Sequence, residues 1–573
     1  MTYLDIVEQA VSAYSGERIL NYIRSVEEGG LAEHGFPRLT ANLGMLVAHG
    51  RATPRQRESF MRMMDLCCDE FPTAHARNGF RVGNDFSVKE IVLCLLAVES
   101  AKAVDARAIA RWRAALSSLR AEDCYSCIPE PDDPVAHNWA VFAAASEQMR
   151  IFAGVGGDAS FVERQIAGQM KFFDANGMYR DPNEPMVYDF VTRLQFAVAL
   201  RHGYDGPSRA ALEAQLLRSA GPTLRMQSAT GEIPFGGRSN QFLHNDTFYA
   251  ALCEFYAMWF ASRGDAVTAR RFECAAARAV LELGTWTAAG ELRHVKNRFP
   301  LETRHGCEGY GYFDKYMVTM GSWAILADDF RRARRGAERV DSPELAAQCE
   351  PDGVFETSPH FHKVFLDACG YTLEFDTNAD VHYDASGLGR VQRRGALPTI
   401  CISVPYPAGA PAYEIGRENP ASLAIQPGWR SGAEWVFADG PAYTRAGDDA
   451  ENAVRFAIAR PGRPPLCWRC SVDERGVTLA LDTADGSAEE LAMAFPAFAF
   501  DGETESEIVI DAHTCTVSRP QNAGRCSCRY ETSGEIIDTG ATCANRNGLG
   551  RRMEARGPSP LTLRIAIRTL QAP

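Results

Sequence analysis

The sequence contains no long hydrophobic run. None of its segments reaches the roughly 18 consecutive apolar residues that a membrane-spanning helix requires. The amino-terminal stretch also lacks a basic segment followed by an apolar one, which is the pattern of a secretory signal. We therefore expect a cytoplasmic protein that has no membrane partner.

Positive charge is scarce as well. The chain has 60 lysines and arginines against 73 aspartates and glutamates, which gives a formal net charge of −13 at pH 7. A nucleic-acid-binding surface usually has an excess of basic side chains, so we expect no nucleic-acid partner. An acidic ligand remains possible, because a local arginine cluster can outweigh a diffuse negative field.

Several catalytic and metal-binding motifs are missing. No P-loop, GxGxxG, HExxH or GxSxG pattern occurs in a suitable context, which excludes the common nucleotide, dinucleotide, zinc-protease and α/β-hydrolase classes. The 17 cysteines are scattered and odd in number, as is typical of reduced thiols. No close cysteine pair has a partner pair at zinc-site spacing, so we predict no metal and no cofactor. The close pairs are Cys124/Cys127, Cys467/Cys470 and Cys526/Cys528.

The first part of the chain has the periodicity of helices. Apolar residues recur every three or four positions, as in residues 88–104 and 248–264, and glycine-rich breaks such as 153–158 are typical of helix ends. About a dozen helices of ordinary length fit here. We predict an N-terminal (α/α)6 toroid of helical hairpins over residues 1–345, with an open array of helix pairs as the alternative.

The second part has the texture of strands. Short alternating or β-branched runs, such as residues 398–406 and 476–483, are separated by glycine, proline, aspartate and asparagine. Strands that follow a run of helices indicate a separate domain. We predict a C-terminal antiparallel β-sandwich over residues 350–573, with the boundary inside the polar stretch 331–353. A single interwoven α+β domain is the alternative.

Three segments of the helical part carry more polar and aromatic residues than helix packing requires. They are residues 177–196, 231–250 and 297–323. In a toroid of hairpins, the loops at one end of the inner helices face a common cleft, so we expect these segments at its mouth. The candidate residues are Tyr188, Asp189, Arg193, Arg238, Asn240, His244, Asn245, Asp246, Arg304, His305, Glu308, Tyr310, Tyr312, Asp314 and Tyr316. Trp139, in the sequence HNW at 137–139, is a further candidate for stacking on a sugar ring.

Each candidate also has a structural interpretation. Asp189 and Asp246 precede or begin apolar helices, where carboxylates often serve as caps. His244 alone is compatible with a packed histidine, and the tyrosines with core residues whose hydroxyls reach water. Glu308 lies among three nearby glycines, which packing explains less well because glycine raises the entropic cost of folding.

These segments resemble those of bacterial glycan-degrading proteins that combine an (α/α) toroid with a β-sandwich. The resemblance rests on residues 177–190, Gly237–Ser239 and Tyr316 through Trp323, with residues 387–403 in the second part. The pattern is similar to that of DUF2264-type proteins and the glucuronidase-like glycoside hydrolase family 154. It is more distantly similar to the heparinase II/III and alginate lyase groups, although FLHND only approximates their NNH run. The resemblance implies an enzyme that cleaves a glycosidic bond in an acidic, uronate-containing oligosaccharide.

Of the possible reactions we expect hydrolysis, as in a glucuronidase, with elimination by a lyase as the alternative. A hydrolase needs two carboxyl groups, one on either side of the glycosidic bond. The sequence offers Asp189 and Glu308 for these roles, with Asp246 and Asp314 as substitutes. A guanidinium group matches the geometry of a uronate carboxylate. The predicted substrate-binding residues are Arg193, Arg238, Asn240, Arg304, Trp139, Tyr188, Tyr312 and His305.

A lyase needs a base for the proton alpha to the uronate carboxyl, and a group that stabilises the enolate charge. Tyr310 or Tyr316 with His244 fits the proton transfers, and Asn240 and Arg304 fit the carboxylate. A third possibility is a non-catalytic glycan-binding scaffold, in which these residues would be scattered over an outer face. The enzyme hypotheses instead predict convergence in one cleft.

Overall fold

The computed structural model describes residues 1–79, 82–125, 138–182, 186–287, 292–334, 352–447, 450–521 and 524–571. The predicted fold class is confirmed: a helical toroid is followed by an antiparallel β-sandwich. Most of the predicted boundary segment, residues 335–351, lies outside the described residues. None of the described helices is long and apolar enough to cross a membrane.

Helices make up the described N-terminal part. They are α1 Tyr3–Ser12, α2 Gly16–Gly29, α3 Gly35–Ala48, α4 Pro54–Asn78, α5 Asn84–Ser100, α6 Ala106–Ser117, α7 Ala121–Cys124, α8 Asn138–Ala153, α9 Ala159–Gln169, α10 Met186–Arg201, α11 Arg209–Arg225, α12 Leu243–Ser262, α13 Ala266–Thr287 and α14 Phe313–Ala333.

Six of these helices form the inner ring of the toroid. Helices α3, α5, α8, α10, α12 and α14 each pack against the next, and α14 packs back against α3. Their side chains are buried on nearly all sides, as expected for helices enclosed by others. The ring is therefore closed, and the open superhelical alternative does not apply.

The outer helix α4 begins with the capping signals that its sequence contains. Thr53 caps α4 by accepting from the backbone N–H of Gln56, and Pro54 occupies the first helical position. The inner helices α3, α5, α12 and α14 have no side-chain cap in the structure. Their amino-terminal turns open into the mouth of the ring.

Strands follow from residue 353. They are β1 Gly353–Glu356, β2 Lys363–Ala368, β3 Tyr371–Asp376, β4 Gly387–Arg393, β5 Gln426–Ser431, β6 Glu434–Phe437, β7 Tyr443–Arg445, β8 Ala453–Arg460, β9 Arg463–Asp473, β10 Gly476–Thr483, β11 Glu490–Phe500, β12 Glu507–Ile510, β13 Thr514–Gln521, β14 Gly524–Thr532, β15 Glu535–Asn545, β16 Gly548–Pro558 and β17 Leu561–Gln571.

The strands form three antiparallel sheets around one core. Their orders are β1-β2-β3-β4, β12-β13-β14-β17-β10-β9-β8-β7 and β15-β16-β11-β5-β6. Strands such as β13 and β14 alternate buried and more exposed residues, because successive side chains point to opposite faces of a sheet. Buried residues of all three sheets belong to a single apolar cluster.

The first sheet holds the loop before α12 against the sandwich. Arg390 of β4 donates to the carbonyl of Ile233 at 2.7 Å, and Asp384 accepts from the N–H of Gly237 at 2.7 Å. The second polar segment, residues 231–250, is therefore fixed by both domains. That segment leads directly into the mouth of the toroid.

Candidate active site

A cavity of about 840 Å³ lies at the mouth of the ring. All six inner helices contribute side chains to its lining, mostly from their first turns. Representative lining residues are Arg38 of α3, Phe86 of α5, Trp139 of α8, Tyr188 of α10, His244 of α12 and Tyr316 of α14. The size suits a ligand of a few sugar units.

The cavity brings together candidates from all three predicted segments. The residues among them that line it are Trp139, Tyr188, Arg238, His244, Tyr310, Tyr312 and Tyr316. They converge in one cleft and are not scattered over an outer face, which is the arrangement that the enzyme hypotheses require. His137, which precedes this set in the HNW sequence, lies outside the described residues.

His244 and Tyr316 lie side by side at the cavity. Their ring centroids are 4.5 Å apart, and Nδ1 of His244 is buried without a hydrogen-bond partner among the described residues. Burial lowers the pKa of His244 well below its usual value, and the nearby charge of Arg38 lowers it further. The imidazole is therefore neutral at pH 7 and able to accept a proton.

Three phenols surround the hydroxyl of Ser239. The Ser239 Oγ lies 3.1 Å from the hydroxyl oxygens of both Tyr188 and Tyr310. Burial raises the pKa of Tyr316 well above 10, while a hydrogen bond with Ser239 opposes the rise. Burial likewise raises the pKa of Tyr310 and of Tyr188. All three phenols keep their protons at neutral pH and are positioned as donors.

The cationic side chains of the cavity outnumber its carboxylates. Arg38, Arg238 and Lys315 line it, whereas Asp181 is the one carboxylate among the described lining residues. Lys315 forms no ion pair with any residue that the structure describes. Burial lowers the pKa of Lys315, and the charge of Glu33 opposes this shift. Arg38 is paired with Glu90 and Arg238 with Asp181, so Lys315 supplies the excess positive charge that favours an anionic ligand.

Asp181 is fully engaged with its neighbours. One carboxylate oxygen accepts from Nη2 of Arg238 at 2.5 Å, and the other accepts from the backbone and side-chain N–H groups of Asn138. The guanidinium of Arg238 also lies 4.4 Å from the ring centroid of Tyr188. These contacts fix Arg238 and Tyr188 on the cavity wall.

Residues of α3 were missed by the sequence analysis. His34 and Arg38 line the cavity, and Arg38 donates to Thr319 at 2.7 Å and contacts both carboxylate oxygens of Glu90 at 3.2 Å. His34 stands directly before α3, as the polar residues of the three segments stand before their helices. The same positional signal would have identified it.

Asp189 and Arg193 are not cavity residues. Both are fully buried, and they form a salt bridge of 2.5 Å within α10. Asp189 also accepts from the N–H of Tyr179, and Arg193 donates to Thr223. The sequence-based roles of Asp189 as a catalytic carboxylate and Arg193 as a substrate ligand are therefore corrected: the pair connects the long loop to its helix.

Asp246, like Asp189, is buried and forms an ion pair inside the protein. Its carboxylate contacts Nζ of Lys296 at 3.0 Å, and the same ammonium group contacts Glu232 at 2.8 Å. Burial raises the pKa of Asp246 to about 6, while the charge of Lys296 opposes the rise. Asp246 belongs to a buried ion cluster and not to the cavity lining, contrary to the sequence-based assignment.

Glu308 lies behind the cavity wall. Its Oε1 accepts from the N–H of Ser239 at 2.5 Å and from Nη2 of Arg546 at 2.7 Å. Arg546 belongs to the turn between β15 and β16, so the sandwich domain reaches into the site. Oε2 of Glu308 is buried without a hydrogen-bond partner among the described residues. Glu308 thus links the sandwich to the serine that the phenols surround.

The remaining candidates stand outside the cavity lining. Asn240 donates to the carbonyl of Pro234, and Asn245 donates to the carbonyl of Ser239. Arg304 donates to the carbonyls of Glu308 and Gly309, which supports the loop that carries Tyr310.

Two further candidates form contacts away from the cavity. His305 stacks on Phe299 and bonds to the carbonyl of Asn545. Asp314 pairs with Arg18 at the surface. Asn240, Arg304 and His305 were predicted to contact the substrate directly. In the structure they instead form hydrogen bonds to backbone carbonyls of neighbouring loops.

Comparisons with known proteins give a distant likeness. No protein-family model and no curated protein matches the sequence. The chain is similar to a chondroitin AC lyase of Streptomyces coelicolor A3, solved in complex with chondroitin sulphate. That match has 12% identity and a TM-score of 0.46, and covers 98% of this chain and 79% of that one.

Two other solved structures are similar over most of the chain. The heparan sulfate lyase HepC of Pedobacter heparinus has 10% identity and a TM-score of 0.37, with 94% of this chain and 76% of that one covered. A heparinase III has 9% identity and a TM-score of 0.37, with 100% and 92% covered. All three TM-scores are below 0.5, so the functional proposal depends on the site geometry.

Proposed function

We propose that the protein cleaves a uronate-containing oligosaccharide by β-elimination. The observation that supports this best is the pairing of a neutral histidine, His244, with a protonated phenol, Tyr316, in a cavity rich in cationic groups. Elimination requires a base, an acid and a stabilising charge, and His244, Tyr316 and the cationic side chains are suited to these three roles. This choice replaces the hydrolytic function preferred from the sequence, because Asp189 is absent from the cavity lining.

The proton transfers follow from the two side chains. His244 removes the proton alpha to the uronate carboxylate, and the released electron pair forms a carbon–carbon double bond as the glycosidic oxygen leaves. Tyr316 donates its proton to that oxygen. Both groups begin in the required state at neutral pH, because burial depresses the pKa of His244 and raises that of Tyr316.

Cationic side chains stabilise the charge that develops. The intermediate carries its extra negative charge on the uronate carboxyl oxygens, so fixed positive charges close to them lower the barrier. Arg38 acts on both His244 and Tyr316 electrostatically, and Lys315 lacks an ion-pair partner among the described residues. We assign Arg38 and Lys315 to the carboxylate in place of Asn240 and Arg304.

Aromatic side chains at the rim hold the sugar rings. Tyr312 and Tyr310 are exposed large side chains at the cavity, and Trp139 lines its opposite wall from α8. Flat aromatic faces present apolar area, and the hydroxyls add hydrogen bonds. This arrangement favours an oligosaccharide over a small monoanion.

Hydrolysis is the second candidate, supported by one observation. The buried Oε2 of Glu308 has no described hydrogen-bond partner, and the adjoining Gly309 and Tyr310 line the cavity. A carboxyl group beside the cavity is one of the two that a hydrolytic mechanism requires. Its partner would be Asp181, whose two oxygens are already engaged, which is why elimination is preferred.

Ultraviolet absorbance of the products distinguishes the two reactions. Elimination from a saturated uronate oligosaccharide produces a conjugated double bond that absorbs in the ultraviolet, and hydrolysis does not. The test is a panel of glucuronate- and galacturonate-containing oligosaccharides, followed by absorbance and by chromatography. Cleaved oligosaccharide without new absorbance would contradict elimination and favour hydrolysis.

A further inference from the structure

The β-sandwich carries a second cavity, of about 580 Å³, on its largest sheet. It arises because β10 pairs with β17 only as far as Ile565, whereas β14 accompanies β17 to its end. One edge of β17 is therefore left unpaired beyond Ile565, and the notch lies beside its residues 566–569. Five arginines line this notch, which we name the arginine notch: Arg393, Arg475, Arg529, Arg564 and Arg568.

Ile567, in the floor of the notch, already has hydrogen-bond partners for its backbone. Ile567 donates its N–H to the hydroxyl of Tyr371 at 3.1 Å, and its carbonyl accepts from Arg393. Arg475 and Arg568 are exposed and form no ion pair with the residues that the structure describes. Tyr371 and Arg393 thus hold Ile567 in place, while Arg475 and Arg568 have no ion-pair partner among the described residues.

The ion pairs at the rim are weak. Arg529 approaches Glu531 at 3.6 Å, and Arg564 approaches Asp473 at 4.0 Å, with all four side chains at least one-third exposed. Exposed pairs of this kind contribute little because water and salt screen them. The lining has five arginines and two glutamates, so the notch carries a net positive charge. The protein as a whole has a formal net charge of −13.

We propose that the arginine notch binds an acidic oligosaccharide at a site separate from the catalytic cavity. Guanidinium forks match carboxylate and sulfate groups, and the volume suits a few sugar units. None of the described residues that line the notch is aromatic, so they offer no platform for base stacking by a single-stranded nucleic acid. The choice of a glycan rests on the proposed function, since an oligosaccharide that is cleaved in the cavity can be held by a second site on the same protein.

The test is binding of a fluorescent chondroitin sulfate octasaccharide to the full-length chain, measured by anisotropy and calorimetry. The Arg475→Ala/Arg568→Ala variant should lose one of two binding sites, with the affinity of the notch reduced about tenfold or more. The control variant Arg469→Ala/Arg525→Ala removes two exposed arginines of the same sheet outside the notch, and should keep both sites.

Unchanged stoichiometry and affinity in the notch variant would overturn the proposal. A 12-nucleotide single-stranded DNA that binds more tightly than the octasaccharide, and loses binding in the notch variant, would overturn the glycan assignment. Both measurements use proteins that also carry His244→Ala, so that cleavage of the octasaccharide does not change the readout. The notch variant could lose its binding site while the wild-type protein yields no unsaturated product. That result would support the notch as a binding site and refute the proposed elimination.

Discussion

The chemistry at the residue scale depends on two side chains with opposite pKa shifts. His244 is kept neutral by burial and by the charge of Arg38, and Tyr316 is kept protonated by burial. Groups whose pKa values are moved apart in this way are suited to serve as base and acid in one site. Their ring contact, at 4.5 Å between centroids, keeps both on the same side of the cavity.

Replacing either residue should abolish most of the turnover. We expect His244→Ala and Tyr316→Phe each to lower kcat by about 10²- to 10⁴-fold, because each removes one positioned proton transfer. Steady-state kinetics on the cleaved oligosaccharide is the measurement, with circular dichroism to verify the fold. The control is Tyr312→Phe, which removes a hydroxyl at the exposed rim and should alter KM more than kcat. Wild-type kcat in Tyr316→Phe would remove Tyr316 from the reaction.

The pH dependence of kcat/KM should reflect the lowered pKa of His244. The pKa of His244 lies well below the usual histidine value of 6.5. The imidazole therefore remains neutral, and able to act as a base, until the pH falls to this lowered pKa. Tyr316 remains protonated to above pH 10 because burial raises its pKa. We expect a flat profile between pH 7 and 9 and an acidic limb below pH 6.5. An acidic limb centred above pH 7 would be inconsistent with His244 as the base.

Single residues show where sequence reasoning reached its limit. Tyr188 lines the cavity, whereas Asp189 next to it is turned into the protein, because successive helical residues point about 100° apart. His244 and Asp246 differ in the same way. The sequence places all of them in the first turns of inner helices, but it does not specify the rotation of each helix about its axis. Packing in the ring determines that rotation.

At the scale of elements, the inner helices position the site by where they begin. Their first turns meet at the mouth of the ring, and the long loops before them supply Arg238, Tyr310 and the other rim residues. Helical periodicity and glycine breaks predicted these helices. Closure of the ring was not predictable from periodicity alone, because it requires α14 to pack against α3, far away in the sequence.

The buried pair Asp189 and Arg193 should act on stability and not on catalysis. We expect Asp189→Asn to lower the free energy of unfolding by about 3–5 kcal/mol, since Arg193 would remain buried without its partner. Urea denaturation is the measurement. The control Asp314→Asn breaks an exposed pair and should cost less than about 1 kcal/mol. Loss of kcat in a fully folded Asp189→Asn protein would return Asp189 to the mechanism.

At the scale of the whole molecule, the sandwich contributes to the catalytic cavity. Arg546 is 2% exposed and donates to the carboxylate of Glu308 and to the carbonyl of Gly306, while its guanidinium stacks 3.9 Å from the ring centroid of Tyr413. Glu308 in turn fixes the backbone of Ser239. The sequence separated the two domains by their periodicity, but a contact between residues 308 and 546 leaves no local pattern that could predict it.

Loss of Arg546 should therefore impair the site from the sandwich side. We expect Arg546→Met to lower kcat at least tenfold and to destabilise the protein by about 3–5 kcal/mol, because Glu308 would be left buried without its counter-charge. Kinetics and thermal unfolding are the measurements. Arg460→Met, which breaks a partly buried ion pair with Glu489 inside the sandwich, should leave kcat unchanged. Equal effects of the two variants on kcat would argue against a positioning role for Arg546.

The mass of the products tests elimination most directly. A lyase divides an oligosaccharide into two fragments whose masses sum to that of the substrate, because no water is consumed and one fragment carries the new double bond. We predict this result by mass spectrometry for a saturated uronate oligosaccharide cleaved by the wild-type chain, with product formed about 10²-fold or more slowly by His244→Ala. Fragments whose masses sum to substrate plus one water molecule would contradict β-elimination.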